Sequence, residues 1–261
     1  MTECPLIMVT NDDGIASPGL RAAVRAVLPL GEVLVVAPAR QHTGAGRSAP
    51  PYDGHIQRVI LSLNGEEREA FAVESTPAVA VMYGLLKLAS RTPSLVVSGI
   101  NYGENVGLAV TGSGTIGAAL EAASKGIPAL AVSLETDKKY YYSHSDEIDF
   151  SAAEYFTREF ARLMLTTRLP PDVDILKIDV PSDATPQTPW RMTRVARQPY
   201  FHPIQQPDHE AMDFEIRVDM DTLKPDSDIY VLRVARQVSV TPLSVDPSSR
   251  VDLGSLEALF R

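Results

Sequence analysis

Leu6-Ile7-Met8-Val9 runs straight into Thr10-Asn11-Asp12-Asp13-Gly14, and the architecture follows from how that junction is read. An unbroken apolar run is the signature of a strand buried on both faces, which belongs in a parallel sheet covered by helices. In open sheets of that kind, ligands bind beyond the carboxyl ends of the strands. Two neighbouring carboxylates placed there repel one another unless a cation lies between them. Oxygen-only ligands suit a hard ion such as Mg²⁺ or Mn²⁺. Taken alone, the same residues also make an ordinary solvated turn, because Asn, Asp and Gly are turn formers.

Outward from this junction the first half alternates. Strands are expected over residues 6–10, 33–37, 95–98 and 128–134, and helices over 18–28, 76–88 and 113–125. Pro18 sits at a helical first position, Thr76-Pro77 supplies an N-cap followed by proline, and Gly126 stops the third helix. Residues 56–63 and 70–73 read as a hairpin with Asn64-Gly65 near its turn. Residues 41–53, rich in Gly, Ser, Thr and Pro, read as a functional loop. Strand-helix-strand alternation predicts an α/β, Rossmann-like doubly wound and mostly parallel sheet.

The second half has a different texture. An amphipathic helix is expected over 149–166 and a strand over 174–180, ending at Pro181. Residues 182–207 are crowded with proline and glutamine around a strand-like 191–196. Half-exposed strands are expected over 214–218 and 229–234, another strand over 238–242, and a terminal helix over 253–260. Residues 140–146 form a polar-aromatic loop. This divides the chain into a catalytic core over 1–181 and a C-terminal extension of hairpin strands and helix over 182–261.

Bulk properties narrow the function. The 261 residues are 44% hydrophobic, enough for a proper core, with a net charge of −9. That charge argues against a nucleic-acid polymer or an anionic membrane as partner. A phosphate substrate stays open, because a bound divalent ion reverses the local field. The single cysteine, Cys4, excludes an intrachain disulfide framework and a thiolate zinc site. No leader and no run long enough to span a bilayer is evident, so a cytoplasmic protein is expected.

Three further stretches end or follow expected strands. Ser98-Gly99-Ile100-Asn101-Tyr102-Gly103-Glu104-Asn105 offers neutral oxygens and amide donors at a strand end, or a plain glycine-rich turn. Thr111-Gly112-Ser113-Gly114-Thr115-Ile116-Gly117 opens a helix, where backbone amides freed by glycine make an anion site. Ser113 and Thr115 add hydroxyls to it, and ordinary N-capping is compatible with that role. Ala37-Pro38-Ala39-Arg40-Gln41-His42-Thr43-Gly44 places a hydroxyl at Thr43, with Arg40 and His42 available to an anion. Parallel strands bring all these loops to one edge.

Gly112, Gly114 and Gly117 also fit the dinucleotide fingerprint, with Glu135 at about the distance of a ribose-binding acid. A nicotinamide-dependent oxidoreductase is therefore the rival reading. It is weakened because residues 99–111 intervene between the strand and the glycines, and because Asp12 and Asp13 are left without a role. A serine-hydrolase elbow fails, since Thr111 stands where glycine is needed before Ser113.

The ordered set of these motifs resembles the survival protein E (SurE) family of metal-dependent nucleotidases. The resemblance also takes in Ser75-Thr76-Pro77-Ala78, residues 175–181 and Val238-Ser239-Val240-Thr241-Pro242-Leu243, and so covers nearly the whole chain. It implies one divalent metal, Mg²⁺ or Mn²⁺, held by Asp12, Asp13, Thr43 and Asn101. It implies hydrolysis of nucleoside monophosphates, and a homodimer or homotetramer assembled through the C-terminal extension. In the reading that follows, Asp12 and Asp13 are catalytic, while Asn105, Ser113, Gly114 and Thr115 hold phosphate. Thr43 departs from the serine usual in the family, Ala39 from an acidic residue, and Val79-Ala80 from an Asp-Cys pair. A non-catalytic nucleotide sensor on the same fold is the remaining alternative.

Overall fold

The structure, a computed structural model, describes residues 4–51, 54–205 and 212–261. Residues 52–53 of the loop expected over 41–53, and 206–207 of the stretch over 182–207, lie outside the described residues. Nine of the described strands form one sheet. In chain order these are β1 (Leu6–Thr10), β2 (Glu32–Pro38), β3 (Ile56–Leu63), β4 (Glu66–Val73), β5 (Leu95–Tyr102), β6 (Ala129–Leu134), β7 (Ile175–Val180), β8 (Trp190–Met192) and β11 (Val238–Leu243). Their spatial order is β3-β4-β2-β1-β5-β6-β7-β11-β8. Strands β9 (Phe201–Gln205) and β10 (Met212–Ile216) pair antiparallel in a separate ribbon.

The central strands are parallel: β1 lies between β2 and β5, and β6 links β5 to β7. Their carboxyl ends therefore share one edge, with the order reversing at β1, where a doubly wound sheet opens its binding crevice. Helices α1 (Pro18–Val27) and α4 (Ser151–Thr166) cover one face; α2 (Pro77–Tyr83) and α3 (Gly114–Ala123) cover the other. Successive β1 residues alternate between them. Ile7 and Val9 join Leu20, Val24 and Phe156, whereas Met8 joins Val79, Ile116 and Ala119. This two-sided burial is why β1 reads as an unbroken apolar run.

Local chemistry sets the element ends. Ser17 accepts a hydrogen bond from the Gly19 amide ahead of α1, and Thr76 from the Val79 amide ahead of α2, each followed by proline. Asn64 and Gly65 both take positive φ, 52° and 84°, as the two-residue turn between β3 and β4 requires.

Three expectations are corrected. First, the strand expected to stop at Ser98 continues as β5 to Tyr102, because a register shift between Ser98 and Asn101 lets Asn101 and Tyr102 pair with Ser133 and Leu134. Second, residues 229–234 are not a strand but a short π-helical turn, Tyr230–Val234. The Asp228 carboxylate accepts from the Ile229 amide and the Ser227 hydroxyl from the Tyr230 amide, giving the turn its N-terminal acceptors. Third, of the strand-like 191–196 only Arg191 and Met192 are extended, as part of β8.

Strands β8 and β11 come from beyond residue 181 yet extend the main sheet, β11 running antiparallel to β7. The sheet thus draws on residues from both sides of the expected 181/182 boundary. A small apolar cluster of Val106, Ala196, Tyr200, Ile229 and Leu232 packs the later segments against the loop after β5. The terminal helix α5 (Leu253–Ala258) is exposed throughout. Among the described residues no helix is long and apolar enough to cross a membrane.

Candidate active site

The turn after β1 is held by its own side chains. Asn11 accepts from the Gly14 amide and donates to the Gly14 carbonyl at 3.2 and 3.1 Å. Gly14 has φ +95° and lies so close to Arg40 that a Cβ would sit 2.9 Å from its carbonyl carbon, so only glycine fits there. This turn delivers two almost fully buried carboxylates, Asp12 at 4% and Asp13 at 2% exposure. Asp12 Oδ1 accepts the Thr115 hydroxyl at 2.6 Å, and its carbonyl accepts the His42 amide at 2.7 Å. Asp13 Oδ1 faces Gln41 Nε2 at 3.1 Å, and Oδ2 accepts the Tyr102 amide at 3.3 Å.

Among the described residues no cation forms an ion pair with either carboxylate. Burial pushes the Asp12 carboxyl up to about 6, against hydrogen bonds from Thr115 that pull it down. Burial and then the Asp12 charge hold Asp13 well above the usual carboxylate range. Two buried neighbouring acids without a counter-charge create a strong preference for a bound cation.

Neutral oxygens surround the pair. Asn101 donates through Nδ2 to the Gly103 carbonyl at 2.7 Å, while its Oδ1 takes no hydrogen bond from the described residues. Thr43 is exposed on the loop after β2, its hydroxyl 2.8 Å from Gln41 Nε2. Gln41 Nε2 also lies 2.7 Å from the Tyr141 carbonyl, so one amide joins the β1 turn, the Thr43 loop and the 140–142 segment. No role for Gln41 is legible in the sequence, since only the folded loop brings it to Asp13.

Asp12, Thr43, Asn101, Asn105 and Ser113 all line one cleft of about 410 Å³. Asp13, Gly114 and Thr115 are buried behind that wall. Ser113 caps α3, accepting the Ile116 amide at 3.2 Å. The side chain of Thr115 is committed to Asp12, so its contribution to an anion would come from its backbone amide. First-turn amides of a helix have no intrahelical acceptor and favour anions. Asn105 donates through its side chain to Ser133 at 2.9 Å and through its backbone to Asp179 at 2.8 Å.

The same cleft is also lined by aromatic rings. Tyr141 stacks on Phe214 with ring centroids 5.9 Å apart, and Phe201 meets Phe214 edge-on at 5.1 Å. Glu104 lies beneath them, accepting the hydroxyls of Tyr141 and Tyr200; its burial raises its pKa despite these bonds. Phe201 and Phe214 carried no signal in the sequence that would associate them with the 140–146 loop.

The dinucleotide reading fails on geometry. Gly114 and Gly117 serve close packing inside the protein: a Cβ on Gly114 would lie 2.7 Å from the Asp12 Cβ, and one on Gly117 would lie 2.0 Å from the Gly46 carbonyl oxygen. Glu135 is committed to Arg233 and Arg236, each at 2.7 Å, and to the Ser182 amide at 3.0 Å. Among the described residues there is also no group of three or more His, Cys, Asp or Glu side chains placed to hold a metal ion. Any metal at this site therefore relies on the two aspartates and neutral oxygens.

Comparison with known proteins accords with this geometry. Residues 7–202 match the family model described as survival protein SurE. The chain is 41% identical to the 5'-nucleotidase SurE of Thermococcus gammatolerans, over 96% of this chain and 94% of that protein. It is 40% identical to that of Methanocella arvoryzae, over 98% and 97% respectively. The crystal structure of the SurE protein from Aquifex aeolicus superposes with a TM-score of 0.77 at 26% identity, covering 98% of this chain and all of that one. A match of this extent, on a sheet that gathers two buried aspartates and a helix N-terminus at one edge, shows that the chain belongs to the SurE family.

Proposed function

We propose that the chain is a 5'-nucleotidase, a metal-dependent phosphomonoesterase that converts nucleoside monophosphates to nucleoside and phosphate. The observation that carries this reading is the buried Asp12–Asp13 pair, uncompensated by any cation among the described residues, beside a cleft that Asp12 lines together with Tyr141, Phe201 and Phe214. The names of the relatives supply the 5' preference. Two carboxylates, the free Oδ1 of Asn101 and the Thr43 hydroxyl form a hard oxygen donor set that fits Mg²⁺ or Mn²⁺. Such an ion, when bound, polarises a phosphate oxygen and acidifies water.

The chain's own groups do the rest. The Thr115 hydroxyl orients Asp12, while Gln41 and the Tyr102 amide orient Asp13. The Ser113 hydroxyl, the Asn105 amide and the backbone amides of Gly114 and Thr115 hold phosphate oxygens and the charge that develops on them. One of the two aspartates accepts the proton of the attacking water. Tyr141, Phe201 and Phe214 offer faces on which a nucleobase stacks. The reading includes a homodimer or homotetramer, supported by the exposed Leu253, Leu259 and Phe260 of the terminal segment. It includes a cytoplasmic setting, with which the exposed thiol of Cys4 is consistent.

The test is phosphate release from a panel of nucleoside 5'- and 3'-monophosphates with Mg²⁺, Mn²⁺ or chelator. Metal-dependent release from the 5' substrates supports the proposal. Nucleotide binding without release under either metal overturns it in favour of a sensor.

A further inference from the structure

Strand β7 carries Lys177 and Asp179 two residues apart, hence on one face of the strand, and both are completely buried. Asp228, also completely buried, approaches the same ammonium at 3.2 Å, while Asp179 pairs with it directly. Burial opposes the charge on Lys177, and the two carboxylates overcome that opposition, raising its pKa. A buried ionic triad is a weak source of stability, since apolar residues of similar volume generally do as well. What distinguishes this one is where its remaining valences go. Asp179 Oδ1 accepts the backbone amide of Asn105 at 2.8 Å, and Asp228 Oδ2 accepts the backbone amide of Gly107 at 3.1 Å.

These two amides belong to the segment after β5, the second opening a short 3-10 turn over Gly107–Thr111. Gly103 and Gly107 both take positive φ, 94° and 57°. We propose that Lys177, Asp179 and Asp228 form a positioning device for this loop: one ammonium fixes two carboxylates, which fix the Asn105 and Gly107 amides and so aim the Asn105 side chain at the substrate phosphate. Because Asp228 also accepts the Ala196 amide at 2.9 Å, the device ties the phosphate-facing loop to segments from the far end of the chain. The role assigned to Asn105 rests on the nucleotidase reading; the ordering of the loop does not.

The test compares Asp179→Asn with Leu63→Ala, a core truncation in β3 at the opposite edge of the sheet. Asp179→Asn keeps an acceptor for Asn105 but breaks the ion pair. We expect KM for a nucleoside 5'-monophosphate and the inhibition constant of inorganic phosphate to rise together by about tenfold, as when a charge-assisted bond that orients a binding group is weakened. Turnover per folded molecule should fall as well, since Asn105 also meets the charge that develops on the phosphate, and the Asn105 amide should exchange hydrogen faster. Leu63→Ala should lower the melting temperature with both constants unchanged. If Asp179→Asn behaves like Leu63→Ala, the triad is merely structural and the proposal is wrong. Should the variant not fold, the wild type decides: exchange protection of the Asn105 and Gly107 amides close to that of β7 supports the device, and loop-like exchange overturns it. This arm is independent of phosphate release, so failure of the nucleotidase reading would be recognised separately.

Discussion

Replacing Asp12 by asparagine should stabilise the metal-free protein at alkaline pH while destroying its activity. Buried Asp12 has its pKa raised from 3.8 to about 6. A folded-state pKa above the unfolded one means that the proton is bound more tightly in the folded chain. The associated stability is fully present below about pH 4 and is lost as pH rises through about 6. A shift of about two units corresponds to about 3 kcal/mol lost by pH 8. With an unfolding entropy of about 2.1 cal/mol/K per residue, a chain of 261 residues converts that into roughly 5 °C. Asparagine keeps an oxygen for the Thr115 hydroxyl, removes the ionisable group and relieves Asp13 of its charged neighbour. Melting curves of wild type and Asp12→Asn in chelator, from pH 4 to pH 8, should coincide at the acid end and diverge by roughly 5 °C in favour of the variant at pH 8. Mn²⁺ should then raise the wild type alone. A variant no more stable than wild type at pH 8, or a constant offset at every pH, would refute the view that Asp12 is an uncompensated buried acid.

Other substitutions probe neighbouring parts of the account. Gly114→Ala would place a Cβ 2.7 Å from that of Asp12; it should cost about 1–3 kcal/mol in denaturant titration and reduce phosphate release more than about tenfold. Phe214→Ala should raise KM for nucleoside 5'-monophosphates by about tenfold through lost base stacking, while hydrolysis of ribose 5-phosphate is unaffected. Glu135 has its pKa lowered because the Ser182 amide and Arg236 outweigh burial. Its contribution is present above the usual glutamate pKa and lost as pH falls through the depressed one. Glu135→Gln should therefore lower the melting temperature at pH 7, converge with wild type in acid and leave phosphate release unchanged.

Much of the architecture was legible because local and global preferences agree along the first half. The β1 run is apolar on both faces because helices lie on both, and the Asn64-Gly65 turn fits the twist of its strands. The convergence of the candidate site was legible for the same reason: parallel strands deliver their loops to one edge, and Asp12, Thr43, Asn101 and Ser113 line one cleft there. Residues 229–234 misled because their alternation suits a strand, while Ser227 and Asp228 provide acceptors that start a helical turn. Lys177 and Asp179 would read as the solvent face of a half-exposed strand, yet all of β7 is buried. Their partner Asp228 lies some fifty residues further along the chain, a juxtaposition that no local pattern encodes. Gln41, Phe201 and Phe214 are similar cases, given roles only by tertiary contact.

The most direct measurement is single-turnover phosphate release from a nucleoside 5'-monophosphate by wild type and Asp12→Asn, each with Mn²⁺ and with chelator. The account predicts release only by wild type with metal, and a loss of more than about a hundredfold in the variant, beyond what losing a mere supporting partner of a metal ligand costs. Release that survives chelation, or persists in a folded Asp12→Asn protein, would contradict it.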